Sequence, residues 1–231
     1  MAQYYNYGSR IVFLKISWLK YYKGKDAFKE YFFPIGEWVK NNDSAAEELN
    51  FKTVAFPDDT EYCMGYVSTK SQDGVYGNQL HLERLDKNAG NSDCLEDVLV
   101  IWCSEHEAQS PLCVVGWYQH ANVYRYYRNR ENINENADWG DWPVNICAEK
   151  KDCFLLSPDE RPYWKIIGKS RGGFSYGRTL VRYAYESSPA YLEKISKKIQ
   201  DYSRNHADQN YIDIDGENDP IEKTRISVFG D

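Results

Sequence analysis

Apolar runs separated by polar turns recur along the chain and predict a series of short β-strands. Two continuous apolar runs, at 98–102 and 112–118, are typical of central strands that are buried on both faces. The ranges 80–85 and 122–127 alternate between apolar and polar residues, which predicts strands with one buried face. Further strands are predicted at 11–17, 51–56, 62–67, 153–156 and 179–185, with a hairpin turn at 57–59.

One amphipathic helix is clear near the end of the chain, at about 189–204. Ser188 can cap its N-terminus, and Pro189 suits the first turn because that position needs no backbone N–H. Leu192 and Ile195 begin an apolar face at helical spacing, whereas lysines occupy the opposite face. The segment therefore predicts a helix that packs one side against a core.

Many strands, few helices and no strand–helix–strand alternation predict a mixed α+β fold. We expect a compact domain whose mixed sheet is curved or barrel-like, flanked by a few helices, with short helical turns at 26–33 and 41–49. This single domain is predicted to span 1–206. The remaining 207–231 carry seven acids and two bases without a strong hydrophobic period, which predicts an acidic tail or linker.

Composition narrows the class of protein. The 231 residues are 42% hydrophobic and 27% charged, as in ordinary folded domains. No run approaches the roughly 18–20 apolar residues of a membrane span, and the N-terminus is too polar for a signal peptide. We therefore expect a cytoplasmic protein without membrane contact, whose six cysteines are thiols. The net charge of −7 argues against indiscriminate binding of polyanions.

Common catalytic motifs are absent from the sequence. It contains no nucleophile elbow, phosphate-binding P-loop, dinucleotide-binding glycine motif or zinc-protease motif. The four histidines show no metal-ligand spacing with one another. We therefore predict no catalytic residue, no metal and no cofactor, and the sequence favours a binding module over an enzyme.

Aromatic residues and arginines are interleaved after the second buried run. Gly116 predicts a close backbone approach or a bulge. Strand alternation places Tyr124 and Tyr126 on one face, and Arg125 and Tyr127 on the other. Base stacking combined with phosphate contact requires this mixture of side chains. A strand pair with core aromatics and solvated arginines would give the same pattern, so both interpretations remain open.

A second feature of the sequence is a segment rich in basic residues. The range 161–182 carries six bases and no acid, and its middle contains Gly172 and Gly173. A flexible basic loop of this kind can bind phosphates through side chains and backbone N–H groups. A mobile surface loop is the alternative, although the domain is otherwise close to neutral.

Several short motifs occur in a characteristic order. They are G-W-Y-x-x-A-x-V-Y-R at 116–125, M-G-Y-V at 64–67, L-E-R-L at 82–85 and L-L-x-x-x-E-R at 155–161. In this order they resemble the PUA-like superfamily, whose EVE, YTH, ASCH and SRA branches bind nucleic acids. More closely, the chain resembles the N-terminal PUA/EVE-like domain that precedes HNH or other nuclease domains in bacterial restriction-type proteins. The resemblance covers about residues 10–185.

The resemblance implies a module that recognises a modified base, expected to be a modified cytosine in DNA, by flipping it into an aromatic pocket. No nuclease-like segment follows residue 206, so the resemblance implies the binding module alone, and whether a nuclease domain or subunit acts with it stays open. The candidate base-binding residues are Trp117, Tyr118, Trp38, Tyr66, Tyr124 and Asn122. The candidate phosphate-binding residues are Arg125, Lys169, Arg171 and Arg178, and Glu83 is a second candidate for the base edge.

Two other functions stay open at this point. The same scaffold could bind a nucleotide or another small molecule, or act as an enzyme, because a fold does not fix a function. The acidic balance of the chain favours this alternative over nucleic acid. A protein-interaction domain that uses exposed aromatic residues is the third possibility.

Overall fold

The computed structural model describes residues 3–24, 46–56, 58–69, 79–107, 110–129, 143–173 and 179–214. These residues form a mixed α+β fold, as the sequence predicts, with a large sheet and few helices. The strands are β1 (Ile11–Lys15), β2 (Thr53–Ala55), β3 (Glu61–Gly65), β4 (Cys94–Ser104), β5 (Cys113–Asn129), β6 (Pro143–Glu149), β7 (Cys153–Leu155) and β8 (Val181–Tyr183), and the helix is α1 (Pro189–Asn205).

The sheet has eight strands in the order β2–β3–β6–β5–β4–β1–β8, with β7 paired to β5 beside this path. β1 and β4 run parallel, whereas the other pairs are antiparallel. Strand pairing leaves the described sheet open, so the ladder itself does not close a barrel. Outside the ladder, Phe51 N–H donates to Tyr22 O at 3.1 Å and Gly24 N–H donates to Glu48 O at 3.0 Å. This seam, residues 22–24 and 48–51, brings the chain after β1 against the chain before β2.

β5 is one long strand where the sequence predicts two strands and a polar turn, so the predicted turn is wrong. His120 lies in the middle of β5 with a φ of 49°, and Asp97 on β4 has a φ of 57°. The pairing of β4 with β5 shifts register on both sides of Val98. Bulges of this kind accommodate extra residues and bend a strand without ending it.

Two hydrophobic cores lie on opposite faces of β4 and β5. The first, which we call the inner core, contains Trp102 and Tyr118. The second, the helix core, lies between the sheet and α1 and contains Trp117 and Ile199. The two neighbouring apolar runs therefore correspond to strands buried on both faces, as predicted. Short 3₁₀ helices connect the strands, at Ala46–Leu49, Leu82–Arg84, Lys87–Ala89, Lys150–Asp152, Arg161–Tyr163, Lys169–Arg171, Ala184–Glu186, Ala207–Gln209 and Tyr211–Asp213.

Two sequence predictions of local structure are wrong. The range 80–85 is a 3₁₀ turn rather than a strand, because Leu85 N–H and Asp86 N–H both donate to Leu82 O at 2.9 Å. Its leucines are buried in the inner core, so they alternate in sequence without belonging to the sheet. Conversely, β6 begins inside a region predicted as a loop at 129–145, because Pro143 and Asn145 interrupt its apolar pattern.

The C-terminal helix begins as the sequence predicts. Ser188 Oγ accepts a hydrogen bond from Tyr191 N–H at 3.3 Å. Beyond the helix, Tyr211 and Ile212 are buried in the inner core, and the packed chain therefore continues past the boundary predicted at residue 206. The helical turn predicted at 26–33 lies outside the described residues. None of the helices within the described ranges has the length and apolar character needed to cross a bilayer.

We predict that Gly116→Ala destabilises the fold by about 1–3 kcal/mol, as overpacking of a filled core does. An added Cβ would lie 2.5 Å from Phe51 Cζ and would also clash with the Phe154 carbonyl oxygen. Gly90→Ala is the matched control, because its Cβ would meet no atom within 4 Å. Urea unfolding of both variants tests this, and equal midpoints for Gly116→Ala and wild type would contradict the close packing.

Candidate functional site

Trp117 and Tyr118, the leading pocket candidates from the sequence, are fully buried on opposite faces of β5. Trp117 stacks on Phe154 with ring centroids 4.9 Å apart, and its Nε1–H donates to Ser203 Oγ at 2.9 Å. Tyr118 packs edge-on against Trp102 at 5.3 Å. The structure therefore does not bring these two side chains together around one pocket, and each belongs to a different core.

Arg125, predicted to contact phosphate, is buried and faces the protein interior. Its Nε donates to Ser92 O at 2.9 Å, and its Nη2 donates to Ala89 O at 2.8 Å and Gly90 O at 3.1 Å. Its Nη1 donates to Glu83 Oε2 at 2.8 Å. The guanidinium thus fastens the turns before β4 to β5.

Glu83, the second candidate for the base edge, is the carboxylate partner of Arg125. Partial burial alone would raise its pKa, but hydrogen bonds from Arg125, its own backbone and His81 outweigh that effect and lower the pKa to about 2. His81 Nδ1 lies 2.8 Å from Glu83 Oε1. Both carboxylate oxygens therefore have partners within the fold.

The predicted basic loop is only partly described. Arg171 is exposed at the end of a 3₁₀ turn. The following Gly172 has a φ of 84° and its carbonyl accepts from Ser188 N–H at 2.8 Å, so this end of the loop is held against the start of α1. Two predicted residues, Trp38 and Arg178, lie outside the described residues. The side chain of Lys169 also lies outside them.

Asn122 lines a polar cleft of about 590 Å³ on the outer face of the sheet. His120 Nδ1 lies 3.0 Å from Asp97 Oδ1 in the same cleft. Glu96, Asp97, Glu149 and Asp152 also line it, whereas Lys151 is its single lysine. Such a concentration of carboxylates repels phosphate groups, which makes this cleft unsuited to a nucleic-acid backbone.

Two tyrosines form a partly exposed aromatic surface, which we call the tyrosine platform: Tyr66, just after β3, and Tyr127, near the end of β5. Their rings are stacked with centroids 5.3 Å apart and an interplanar angle of 30°. Both side chains are half-buried. Thr69 N–H donates to Tyr127 OH at 2.9 Å, and Thr69 Oγ1 shares a second hydrogen bond of 2.9 Å with that hydroxyl. Tyr66 is a candidate from the sequence, whereas Tyr127 is an addition from the structure.

Buried amides hold the backbone that carries the platform. Asn50 Nδ2 donates to Tyr66 O at 3.1 Å, and Tyr66 N–H donates to Asn50 Oδ1 at 2.9 Å. Asn145 on β6 makes the same pair of bonds with Val67, at 3.0 and 3.1 Å. Because both amides are almost fully buried, these bonds are protected from water and fix the chain position.

A buried carboxylate, Glu47, lies next to the seam. Its Oε1 accepts from Ser17 Oγ at 2.9 Å and from Ser17 N–H at 3.2 Å. Burial raises the pKa of Glu47 above its ordinary 4.5, although hydrogen bonds from its own backbone N–H and from Ser17 oppose the shift. Burial, with Tyr127 and Glu47 nearby, also raises the pKa of Tyr66 well above its usual range.

Metal and thiol chemistry find no support in the described part of the chain. No three histidine, cysteine or acidic side chains within it converge to hold a metal ion. Five of the six cysteines are buried and none forms a disulfide. Burial raises the pKa of Cys147 to about 12, so this thiol stays protonated at neutral pH.

Comparisons of the chain with known family models, with curated proteins and with solved structures give no match. The site is therefore interpreted from its own geometry. Of the sequence candidates that are described, Tyr66 alone belongs to the platform, and Tyr124 packs under Arg128 on the outer face. Asn145 is the missed residue with the clearest signal, since a polar residue inside an apolar strand is typical of a buried hydrogen bond.

We predict that Trp117→Ala destabilises the protein by about 3–5 kcal/mol, as removal of a buried aromatic side chain does. Tyr126→Ala, on the exposed face of the same strand, should change stability by no more than about 0.5 kcal/mol. Chemical denaturation measures both. A Trp117→Ala variant as stable as Tyr126→Ala would show that Trp117 is not a core residue.

Proposed function

We propose that this chain is a PUA-like nucleic-acid-binding module that takes up a modified base, a modified cytosine in DNA, and stacks it on the tyrosine platform. The observation that carries the proposal is the stacked, half-exposed pair Tyr66 and Tyr127 on a backbone fixed by buried amides. A base presents an aromatic face, and a rigid aromatic surface is a suitable partner for it. The ordered sequence motifs support the same class of function.

The energetics of base uptake favour a preformed surface. Extruding a base from a duplex costs a few kcal/mol of stacking and pairing. Stacking on a protein aromatic side chain returns about 1–3 kcal/mol per base. The free energies of extrusion and stacking nearly cancel. The entropic cost of ordering the protein on binding would therefore abolish any net free energy of binding. Asn50 and Asn145 remove that ordering step because they hold the platform backbone before any base arrives.

Phosphate contacts in this proposal come from exposed basic side chains of the glycine-containing range 161–182. Arg171 and Lys165 are exposed, and no acid occurs between them. The buried Arg125 does not take part, because its donors face carbonyl groups and Glu83. A nuclease that acts on the recognised DNA would be a separate domain or subunit in this scheme.

A second candidate function rests on a different cleft. A groove of about 780 Å³ lies between the N-terminal segment and the start of α1, and its lining includes Tyr4, Tyr5, Tyr185 and Lys197. Its size and aromatic lining suit a planar small molecule such as a nucleotide. Binding of free nucleosides or nucleotides, without binding of any oligonucleotide, would favour this function over base recognition in DNA.

We predict that the protein binds a duplex with 5-methylcytosine or 5-hydroxymethylcytosine more tightly than the unmodified duplex, and that this preference persists at raised salt. Tyr127→Ala should weaken binding of the modified duplex by about 5- to 150-fold, equivalent to about 1–3 kcal/mol of stacking. Tyr127→Phe retains the ring and should keep most of the affinity. Fluorescence anisotropy at two salt concentrations measures these differences.

Controls separate the platform from general damage. Tyr163→Ala removes the most exposed of the described tyrosines and should leave affinity unchanged. Thermal unfolding confirms that each variant is folded before binding is compared. Equal affinity for modified and unmodified duplexes, or no effect of Tyr127→Ala in a folded variant, would reject the platform as a base-stacking surface.

Arg171→Ala is predicted to weaken binding of modified and unmodified duplexes equally. A single lost phosphate contact should reduce the slope of log affinity against log salt concentration by about 1. Titrations over a series of salt concentrations give this slope. A change in modification preference without a change in slope would instead assign Arg171 to base recognition.

A further inference from the structure

Two exposed lysines of α1, Lys194 and Lys198, stand one helical turn apart without a carboxylate partner. Their axial separation is about 6 Å. Within the described part of the chain, neither forms an ion pair with an acid. Lys198 Nζ donates to Tyr163 O at 3.5 Å and lies 3.6 Å from the centroid of the Trp164 ring. Like charges at this spacing destabilise a helix, and a bound anion would remove that repulsion.

Two other basic residues of α1 are neutralised by acids of the same helix. Lys197 Nζ lies 2.6 Å from Glu193 Oε1, and Arg204 Nη2 lies 2.9 Å from Asp201 Oδ1. Both of these acids line a groove of about 620 Å³ on the outside of α1, together with the two unpaired lysines. Because each acid of the groove already has a basic partner, the uncompensated charge of the groove is positive.

The surroundings of Lys198 disfavour its charged form. Partial burial lowers the pKa of Lys198, the charge of Glu160 opposes this, and the charge of Lys194 lowers the pKa further. Glu160 Oε2 instead accepts a hydrogen bond from Tyr202 OH at 3.3 Å. The ammonium group of Lys198 thus rests on an aromatic ring beside another cation, an arrangement that an anion on the surface would stabilise.

The basic loop adds two exposed cations to this side of α1. Lys165 directly follows the ring that Lys198 contacts, and the Gly172 carbonyl, next to Arg171, accepts from Ser188 N–H at 2.8 Å. Neither cation forms an ion pair with a described acid. Lys198 follows Ser188 by ten residues, a rise of about 15 Å along α1. We call these four residues the basic surface: Lys165, Arg171, Lys194 and Lys198.

We propose that the basic surface binds the sugar–phosphate backbone of a nucleic acid, with α1 supplying contacts that do not depend on base modification. This inference rests on the proposed function for the class of partner and adds a contact surface separate from the tyrosine platform. One phosphate group cannot reach cations spread over about 15 Å, whereas the repeated phosphates of a strand can. Backbone contacts of this kind position the protein and carry no sequence information.

The test is a salt series with the double variant Lys194→Gln/Lys198→Gln, measured by fluorescence anisotropy on 5-methylcytosine and unmodified duplexes. Loss of two phosphate contacts should reduce the slope of log affinity against log salt concentration by about 1.8. Over the tenfold range from 1 M to 0.1 M salt, this slope corresponds to roughly 60-fold in affinity. We therefore expect binding at 0.1 M salt to weaken about 60-fold for both duplexes, with the ratio between them unchanged.

Three further variants separate charge at this surface from other effects. Lys151→Gln removes one positive charge in the acid-rich cleft, where Lys151 is paired with Glu149, and should leave the slope unchanged. Lys194→Arg/Lys198→Arg keeps both charges and should keep the wild-type slope. Lys194→Gln alone leaves the contacts of Lys198 intact and should lower the slope by about 0.9, which tests the proposal even if the double variant unfolds. Thermal unfolding verifies that each variant is folded.

The outcomes distinguish this inference from base recognition. If the wild type prefers the modified duplex and the folded lysine variants keep its salt slope, the basic surface is overturned and the platform stands. If the wild type binds both duplexes equally and the lysine variants lower the slope, base recognition fails and the basic surface stands. If no oligonucleotide binds at low salt, both fail. Binding of phosphatidylserine vesicles without any binding of oligonucleotides would also overturn the inference, because the partner would then be a lipid surface.

Discussion

The fold depends on a close approach at β5, the strand that must be buried on both of its faces. Gly116 lets Phe51 and the Phe154 carbonyl come within a distance that no Cβ would permit. Gly65 does the same on β3, where an added Cβ would lie 2.6 Å from Trp102. These contacts let Phe51 and Trp102 pack directly against the backbone of β5 and β3 within the inner core. Tyr66 of the tyrosine platform directly follows Gly65 at the end of β3.

Buried polar side chains also hold the segments around the sheet in place. Much of the chain around the sheet is irregular, and its backbone groups require partners that strands and helices do not supply. Arg161 is fully buried and donates to the carbonyls of Leu156, Leu19 and Lys20. Arg125 has the same role, because it donates to the carbonyls of Ser92 and Ala89. Two arginines of the sequence motifs are therefore cross-links between segments, and their charge is directed into the fold.

The sequence predicts elements whose pattern is local and fails where burial is decided by distant contacts. The cap at Ser188 and the β2–β3 hairpin follow from adjacent residues, and the structure confirms both. The leucines of 80–85 are buried in the inner core from a 3₁₀ turn, which their alternation cannot distinguish from membership of a strand. Likewise, an interleaved run of aromatics and arginines cannot show that Trp117 faces α1 or that Arg125 faces carbonyls. For the candidate site, only Tyr66 was accessible from its motif.

The use of aromatic and arginine side chains for packing also limits which groups can serve a function. A fold that already uses its largest aromatics and its motif arginines for packing has few groups left for a ligand, so the remaining ones carry more weight. Tyr66 and Tyr127 remain half-exposed although the backbone beside them is held by the buried amides of Asn50 and Asn145. In the function proposed above, stacking of a base on this surface would offset the cost of its extrusion. Asn50, directly after the 3₁₀ helix Ala46–Leu49, is the side chain that holds both backbone groups of Tyr66.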